Sequence, residues 1–189
     1  MVRIAIATDR EALSKDGQRV FDDVMRDRGS SINNGRLPGP VAAMLPYAPE
    51  IAGRMSHLGT AIRFETSLSR AETELATIVA ARGRNCEYVW AAHVPPALDA
   101  GVKAEVVEVV NARGALDSLS PDEALIIRFG RELVEETRLS DETFQAAKAR
   151  FGETGVMELT ALIGYYLMMT CILTTVGLEP RPGAPALKM

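Results

Sequence analysis

The sequence predicts an all-α fold, and three observations support that prediction. A serine or threonine is followed by a glutamate three residues later at positions 8–11, 69–72 and 120–123, which is the pattern of the helix capping box. Glycines follow apolar residues of helical spacing at 29, 83, 101, 114, 152 and 177, where a left-handed helix end favours glycine. Alternating apolar and polar runs of strand length are lacking apart from residues 2–7, so no sheet is expected.

Both ends of the chain are expected to be less regular than its centre. Residues 1–40 form an N-terminal arm of a helix and a loop, because residues 31–50 are rich in Gly, Pro and Asn before short helices follow. The proline-rich residues 179–189 form an extended tail. No long linker separates these ends, so residues 1–189 are expected to be a single domain with one core.

The central helices follow from their start and stop signals. One helix begins at Ser69 and ends near Gly83. The next runs from about Asn85 until the prolines at 95 and 96 disturb it, because proline lacks the amide donor of a helix interior. Apolar residues at helical spacing predict three further helices, over residues 102–110, from Ser120 and from Ser140.

Composition excludes several classes of partner. The formal net charge is -4, and Lys and Arg are scattered rather than clustered, so no surface for nucleic acid is expected. The first residues lack the features of a secretory signal, which makes a cytoplasmic protein the expectation. The two cysteines lie in different segments, so free thiols are expected rather than a disulfide.

An apolar run over residues 156–178 approaches the length that crosses a bilayer. Glu158, the tyrosines and the threonines of this run argue against a membrane span. A helix that is apolar all round is also what a subunit interface requires. We therefore predict a buried interface helix and no membrane partner.

Residues 74–93 contain the candidate catalytic group. Cys86 and His93 lie seven residues apart on one stripe of the second central helix, and Glu74 lies on the helix before it. If these two helices pack as an antiparallel hairpin, the Glu74 carboxylate approaches the imidazole. It would then hold one tautomer and stabilise the protonated ring.

From the residues alone, a structural role is also open. His93 is then a hydrogen-bonded core histidine and Cys86 a small buried hydrophobe. Tyr88 and Trp90 are core aromatic residues in this interpretation, and Cys171 packs inside the apolar run. No metal is expected, because one Cys and one His on a helix, with the other histidine in a different segment, do not supply the ligands of a zinc site.

The stretch ETELATIVAARGRNCEYVWAAHVPPALDAGV, residues 72–102, resembles the central motif of the carboxymuconolactone decarboxylase family, to which alkylhydroperoxidase-like proteins also belong. Segments on either side, from GRLPGPVAAMLPYAPE to GVMELTALIGYYLMM, extend the resemblance over most of the chain. The resemblance implies an all-helical fold and a homo-oligomer, a trimer or a hexamer, whose subunits cover the apolar helix.

The peroxidase branch of this family carries a glutamate, eleven residues, Cys-x-x-Cys, three residues and a histidine. Laid on this chain, the motif implies catalytic roles for Glu74, Cys86 and His93, and its second cysteine falls on Val89. A two-cysteine peroxidase needs both thiols, so this position departs from the peroxidase pattern.

The decarboxylase branch needs neither a thiol pair nor a cofactor. The resemblance implies loss of carbon dioxide from a small unsaturated carboxy-lactone, with His93 as acid or base and Glu74 orienting it. The candidate substrate-binding residues, as pocket walls or as carboxylate ligands, are Tyr88, Trp90, Arg70 and Arg82.

Two enzyme functions and one structural function therefore stand open. The first is a cofactor-free lyase or isomerase built on His93 and Glu74, acting on a small carboxylated or lactone substrate. The second is a thiol-dependent peroxidase that uses Cys86 activated by His93. The third is a non-catalytic oligomeric scaffold in which the motif is structural.

Overall fold

The computed structural model describes residues 2–7, 9–28 and 37–188. Within these ranges the chain forms α-helices and no β-strand, which confirms the predicted all-α fold. A short 3-10 helix at Arg10–Ala12 comes first. The helices that follow are α1 (Lys15–Arg28), α2 (Gly39–Met44), α3 (Pro49–Phe64), α4 (Arg70–Gly83), α5 (Glu87–Asp99), α6 (Ala104–Ala112), α7 (Pro121–Val134) and α8 (Asp141–Val176).

The chain divides into two compact units. The first unit comprises Met1–Ile62 and Cys171–Leu178, and the second comprises Arg63–Thr170 and Glu179–Met189. The single domain over residues 1–189 stays a prediction. The same holds for the trimeric or hexameric assembly.

Capping signals set the start of two helices as predicted. At α4, Ser69 Oγ accepts a hydrogen bond from the Glu72 amide at 3.3 Å, while Glu72 Oε2 accepts one from the Ser69 amide at 2.7 Å. Ser120 and Glu123 form the same pair of bonds at α7. The predicted capping box at 8–11 and glycine stop at 29 include residues that lie outside the described ranges.

Helix α4 is the centre of the second unit, where it packs against α5, α6 and α7. Its residues from Thr73 to Arg82 are all buried, as expected of a helix with apolar residues on every side. Thr73 and Thr77 donate their hydroxyl groups to carbonyls one turn earlier, at 3.1 and 2.8 Å. The carboxylate of Glu74 is buried on the same helix and requires charged partners, because an unpaired buried charge is costly.

Helix α5 runs through Pro95 and Pro96 to Asp99. The prediction that these prolines disturb the helix near His93 is therefore wrong. Two missing amide donors leave the carbonyls of Ala91 and Ala92 without their helical partners. Ala92 is exposed and Ala91 half-buried, which lets water take the place of those donors. The helix therefore extends beyond His93 by more than a turn.

Helix α8 contains one residue with non-helical backbone angles, Gly152, at φ 70° and ψ 176°. Nothing lies within 4 Å of a Cβ added at this position. The positive φ angle, rather than crowding, is therefore the reason that glycine is favoured there.

By length and composition, α8 is the one helix among the described residues that is able to cross a membrane. Half of its most apolar window is buried inside the protein, and the core helix of a soluble protein passes the same test. This is weak evidence for a membrane span. The role of its apolar residues 156–178 in a subunit interface stays a prediction.

Gly130 lies where α7 packs closely on α4. A Cβ at this position would stand 2.5 Å from Val79 Cγ1, and the β-branched Val79 has little rotamer freedom in a helix. We expect Gly130→Ala to lower the free energy of unfolding in urea by about 1–3 kcal/mol, although alanine is the better helix former. Gly164→Ala is the matched control, because no atom lies within 4 Å of a Cβ there. Equal losses in both variants would contradict the packing argument.

Candidate active site

A buried carboxylate lies at the centre of the candidate site. The side chain of Glu74 is 1% exposed and uses both of its oxygens. Oε1 lies 2.7 Å from Nη2 of Arg70 and 3.4 Å from Nη2 of Arg63, and Oε2 lies 2.7 Å from Nδ1 of His93. One acidic group is therefore bound by two guanidinium groups and an imidazole.

The site draws on four helices, and its residues belong to the second unit. Arg63 lies in the last turn of α3, and Arg70 opens α4 one turn before Glu74. Helix α5 packs against α4 and brings His93 to the carboxylate. Tyr166 of α8 meets the imidazole edge to face, with ring centroids 4.9 Å apart and planes at 82°. The predicted approach of Glu74 to His93 is thus present in the structure.

Glu74 is ionised in this site. Burial alone opposes its ionisation. The hydrogen bond with His93, together with the charges of His93, Arg63 and Arg70, outweighs burial and holds the pKa of Glu74 below its usual value.

The His93 imidazole has a 13% exposed side chain and is neutral at neutral pH. Burial lowers its pKa below the usual 6.5; the hydrogen bond and charge of Glu74 oppose this decrease, and the charges of Arg63 and Arg70 add to it. Because the ionised Glu74 accepts the Nδ1 proton, the lone pair of the ring lies on Nε2. A neutral imidazole in this tautomer is a general base.

Tyr166 is a neutral neighbour of the imidazole. Burial raises the pKa of its hydroxyl group far above the usual value, and the charge of Arg63 only partly opposes this. The phenol therefore keeps its proton and contributes packing and a dipole rather than a charge.

The stability of the protein is expected to fall as the pH falls below about 6.5. In the unfolded chain His93 takes up a proton near its usual pKa, whereas the folded site resists protonation because the pKa of His93 is lowered there. Glu74 adds to the loss at lower pH, since the pKa of its carboxylate is also lowered by folding.

Urea unfolding at a series of pH values between about 8 and about 5 measures this dependence. His93→Gln removes the histidine contribution and should flatten the upper part of the curve. A wild-type free energy of unfolding that rises with acidification would show that the imidazole is protonated in the folded site.

Cys86 lies outside hydrogen-bonding reach of the Glu74 and His93 pair. It is buried at the start of α5, and seven residues at about 1.5 Å rise place it roughly 10 Å from His93 along the helix axis. Val89 lies one turn before His93, where a thiol would meet the imidazole, and it is buried and apolar. Cys171 belongs to the first unit and is exposed.

Of the predicted substrate-binding residues, the structure brings Arg70 alone to the charged cluster. Arg82 is also buried on α4, but it donates to the backbone oxygens of Asn111 and Lys188 at 2.7 and 3.1 Å and to the side chain of Asn85. The bond to Lys188 ties the C-terminal tail to α4. Each of the three guanidinium nitrogens of Arg82 therefore already donates to another part of the protein.

The two predicted aromatic residues differ in exposure. Trp90 is buried, and its indole Nε1 has no hydrogen-bond partner among the described residues. Tyr88 is half-buried, and burial raises the pKa of its hydroxyl group. Their role as pocket walls stays a prediction. Over the same described ranges, no three His, Cys, Asp or Glu side chains group together as metal ligands would.

Sequence reasoning missed Arg63 and Tyr166. An arginine in the last turn of a helix is ordinarily explained by the helix dipole, and a tyrosine in an apolar run is explained by packing. One signal was available for Arg63. A glutamate that faces the apolar core needs cationic partners, and the arginines shortly before Ser69 in the sequence are candidates.

One family model matches part of the chain. Residues 49–132 match the model of the carboxymuconolactone decarboxylase family. The match covers less than half of the chain. The match runs from α3 into α7 and includes Glu74, Cys86 and His93, so the predicted resemblance is confirmed.

Two solved structures share the fold. One is described as the alkylhydroperoxidase AhpD core of an uncharacterized peroxidase-related protein from Ralstonia eutropha JMP134, with a TM-score of 0.74 and 17% identity over 96% of this chain and 93% of that chain. The other is an uncharacterized peroxidase-related protein from Silicibacter sp. TM1040, with a TM-score of 0.73 and 15% identity over 97% and 95%. At these identities the likeness shows the fold alone. No curated protein sequence matches this chain significantly.

Proposed function

We propose that the chain is an enzyme that uses His93 and Glu74 for acid–base catalysis without a cofactor, as a lyase or isomerase of small carboxylated or lactone substrates. One observation carries this proposal. Nδ1 of a neutral, mostly buried His93 lies 2.7 Å from the ionised carboxylate of Glu74. A carboxylate that holds an imidazole in one tautomer and stabilises its protonated form is an arrangement for proton transfer.

Nε2 of His93 is the atom that exchanges the proton. As a base, it removes a proton from a carbon next to the lactone carbonyl, and the electron pair moves into the conjugated carbonyl. The imidazolium, paired with Glu74, returns the proton to a second carbon and completes an isomerisation. In a decarboxylation, the carbon–carbon bond to the carboxylate breaks, its electron pair moves into the conjugated carbonyl, and carbon dioxide leaves. The carbon then receives a proton from Nε2 of His93, which the imidazole has first taken up from solvent.

Thiol-dependent peroxide reduction is the second candidate. The comparisons favour it by description, since the two solved structures named above are both described as peroxidase-related. The Cys86 thiolate would attack a peroxide oxygen, the O–O bond would break, and the alcohol would leave with a proton, so that Cys86 becomes a sulfenic acid. An external dithiol would then reduce the sulfenic acid and release water, because Val89 replaces the second cysteine.

The geometry favours the acid–base function. A thiol that His93 activates needs to lie within hydrogen-bonding reach of the imidazole, and Cys86 is two helical turns away. The imidazole already has its orienting carboxylate in place. Acid–base catalysis therefore uses the contacts that exist, whereas the peroxidase function requires a rearrangement of α5.

Peroxide consumption in the presence of a dithiol reductant separates the two functions. We expect no rate that depends on Cys86, so Cys86→Ser should match the wild type. Cys171→Ser is the control for oxidation of an exposed thiol. A robust wild-type rate that Cys86→Ser abolishes and Cys171→Ser keeps would replace the acid–base proposal by the peroxidase function.

A screen of carboxy-lactones for release of carbon dioxide, or for loss of lactone absorbance, tests the acid–base function directly. Cys86→Ser should keep most of the turnover on any substrate found, because its sulfur does not contact the Glu74 and His93 pair. Loss of turnover in the serine variant, with its fold intact, would contradict the assignment of catalysis to His93 and Glu74.

A further inference from the structure

Arg63 is a cation with an unused donor inside the candidate site. Its side chain is 15% exposed, and its Nε atom is buried without a hydrogen-bond partner among the described residues. Its contact with Glu74, through Nη2 at 3.4 Å, is long, whereas Arg70 approaches the same oxygen at 2.7 Å. Arg70 thus provides the closer guanidinium contact to the carboxylate, and Arg63 keeps donor capacity to spare.

The charges around Glu74 do not balance. Two guanidinium groups face one carboxylate, His93 is neutral, and Tyr166 keeps its proton. The ring of Phe64 contacts both cations, at 4.8 Å from Arg63 and 5.0 Å from Arg70. This contact favours both cations but adds no negative charge. The cluster therefore carries one positive charge in excess, which a bound anion would neutralise.

We infer that Arg63 anchors the carboxylate of a monoanionic substrate, which its Nε–H binds beside the imidazole of His93. This inference rests on the proposed function and names the charge class of its substrate. The planar fork of a guanidinium group matches a carboxylate in shape, and a buried N–H without a partner gains most from such a ligand. Arg70 and Arg82, the two arginines predicted from the sequence, are committed to Glu74 and to the C-terminal tail.

The arrangement places the anchor close to the base. Arg63 and His93 bind the two oxygens of one carboxylate, that of Glu74. The guanidinium group of Arg63 and the imidazole of His93 are therefore neighbours across this carboxylate. A neutral substrate lacks the group that Arg63 binds.

A matched pair of inert probes, 2-furoate and its neutral analogue 2-furamide, tests the inference by calorimetric titration without any turnover. Wild-type protein should bind 2-furoate at least about tenfold more tightly than 2-furamide, as expected of a hydrogen bond between charged groups. Arg63→Gln should abolish this preference. Arg63→Lys, which keeps the charge and loses the planar fork, should retain only part of it.

Arg128→Gln is the control for the loss of one positive charge, because Arg128 is exposed and lies 3.8 Å from Glu142 at the surface. It should keep the full preference for 2-furoate. Thermal unfolding of each variant shows that the fold is intact. Equal binding of both probes to the wild type, no 2-furoate binding at millimolar concentration, or an undiminished preference in Arg63→Gln would each overturn the inference.

His93→Gln separates the inference from the proposed function. The variant should lose turnover and keep its preference for 2-furoate. Loss of turnover together with no preference in the wild type would overturn the role of Arg63 and leave the acid–base function standing. A preference for 2-furoate that depends on Arg63, together with turnover that does not depend on His93, would overturn the acid–base function and leave the role of Arg63 standing.

Discussion

Glutamine in place of His93 is expected to lower the turnover of a carboxy-lactone substrate by about 10²–10⁴-fold, the usual contribution of a positioned acid or base. The glutamine amide is still able to donate a hydrogen bond to Glu74, so the buried carboxylate keeps a partner while the titratable nitrogen is lost. The decrease should fall mainly on kcat, because the proposed anchor Arg63 is unchanged. Steady-state kinetics on a substrate found by carbon dioxide release measures it.

His57→Gln is the matched control for this variant. His57 is the other histidine of the chain, is exposed, and lies 3.1 Å from Asp27 in the first unit. Its replacement should leave turnover unchanged. If His93→Gln keeps more than about a tenth of the wild-type turnover, His93 is not the group that transfers the proton.

The contact between Glu74 and His93 is predictable because the signals for it are local. Both residues lie on consecutive helices, and the capping box at Ser69 and Glu72 fixes the start of the first of them. When the connection between two helices is short, the helices tend to pack against each other. Helical spacing then predicts which of their side chains face one another. Pro95 and Pro96 show the limit of such signals, since α5 continues through both of them.

Arg63 and Tyr166 are not predictable in the same way. They reach the imidazole and the carboxylate from α3 and α8, and no local pattern specifies how those helices approach α4. Arg82 is the opposite case, since it lies on the helix of Glu74 but not in the charged cluster. The sequence places it on α4, yet the bonds that it makes depend on where the C-terminal tail lies. Charge on a buried helix indicates that a partner exists, and packing decides which one.

Glutamine in place of Glu74 is expected to lower the free energy of unfolding by about 3–5 kcal/mol, because it leaves the guanidinium groups of Arg63 and Arg70 without their anion. Glutamine keeps nearly the same shape as glutamate, so the effect reports charge rather than a cavity. Urea unfolding measures it. The pKa of His93 should also fall further, since Glu74 is the residue that raises it, and nitrogen-15 NMR of the imidazole follows that change.

Glu142→Gln is the control for loss of a carboxylate. Glu142 is 88% exposed and its contact with Arg128 is 3.8 Å, so its replacement should change the free energy of unfolding by no more than about 0.5 kcal/mol. A second comparison tests whether unpaired charge is the cause of the stability that Glu74→Gln loses. Combining Glu74→Leu with Arg63→Met and Arg70→Met removes every charge of the cluster together, and should recover much of the stability that Glu74→Gln loses.

These two comparisons distinguish a charge cluster retained for function from one retained for stability. If the apolar triple variant is as stable as the wild type but catalytically dead, the buried charges are kept for proton transfer and anion binding, since stability does not require them. If Glu74→Gln is no more destabilising than Glu142→Gln, the cations are not held by the carboxylate. The cluster of two guanidinium groups around one carboxylate, on which the proposed role of Arg63 depends, would then not be present in the folded protein.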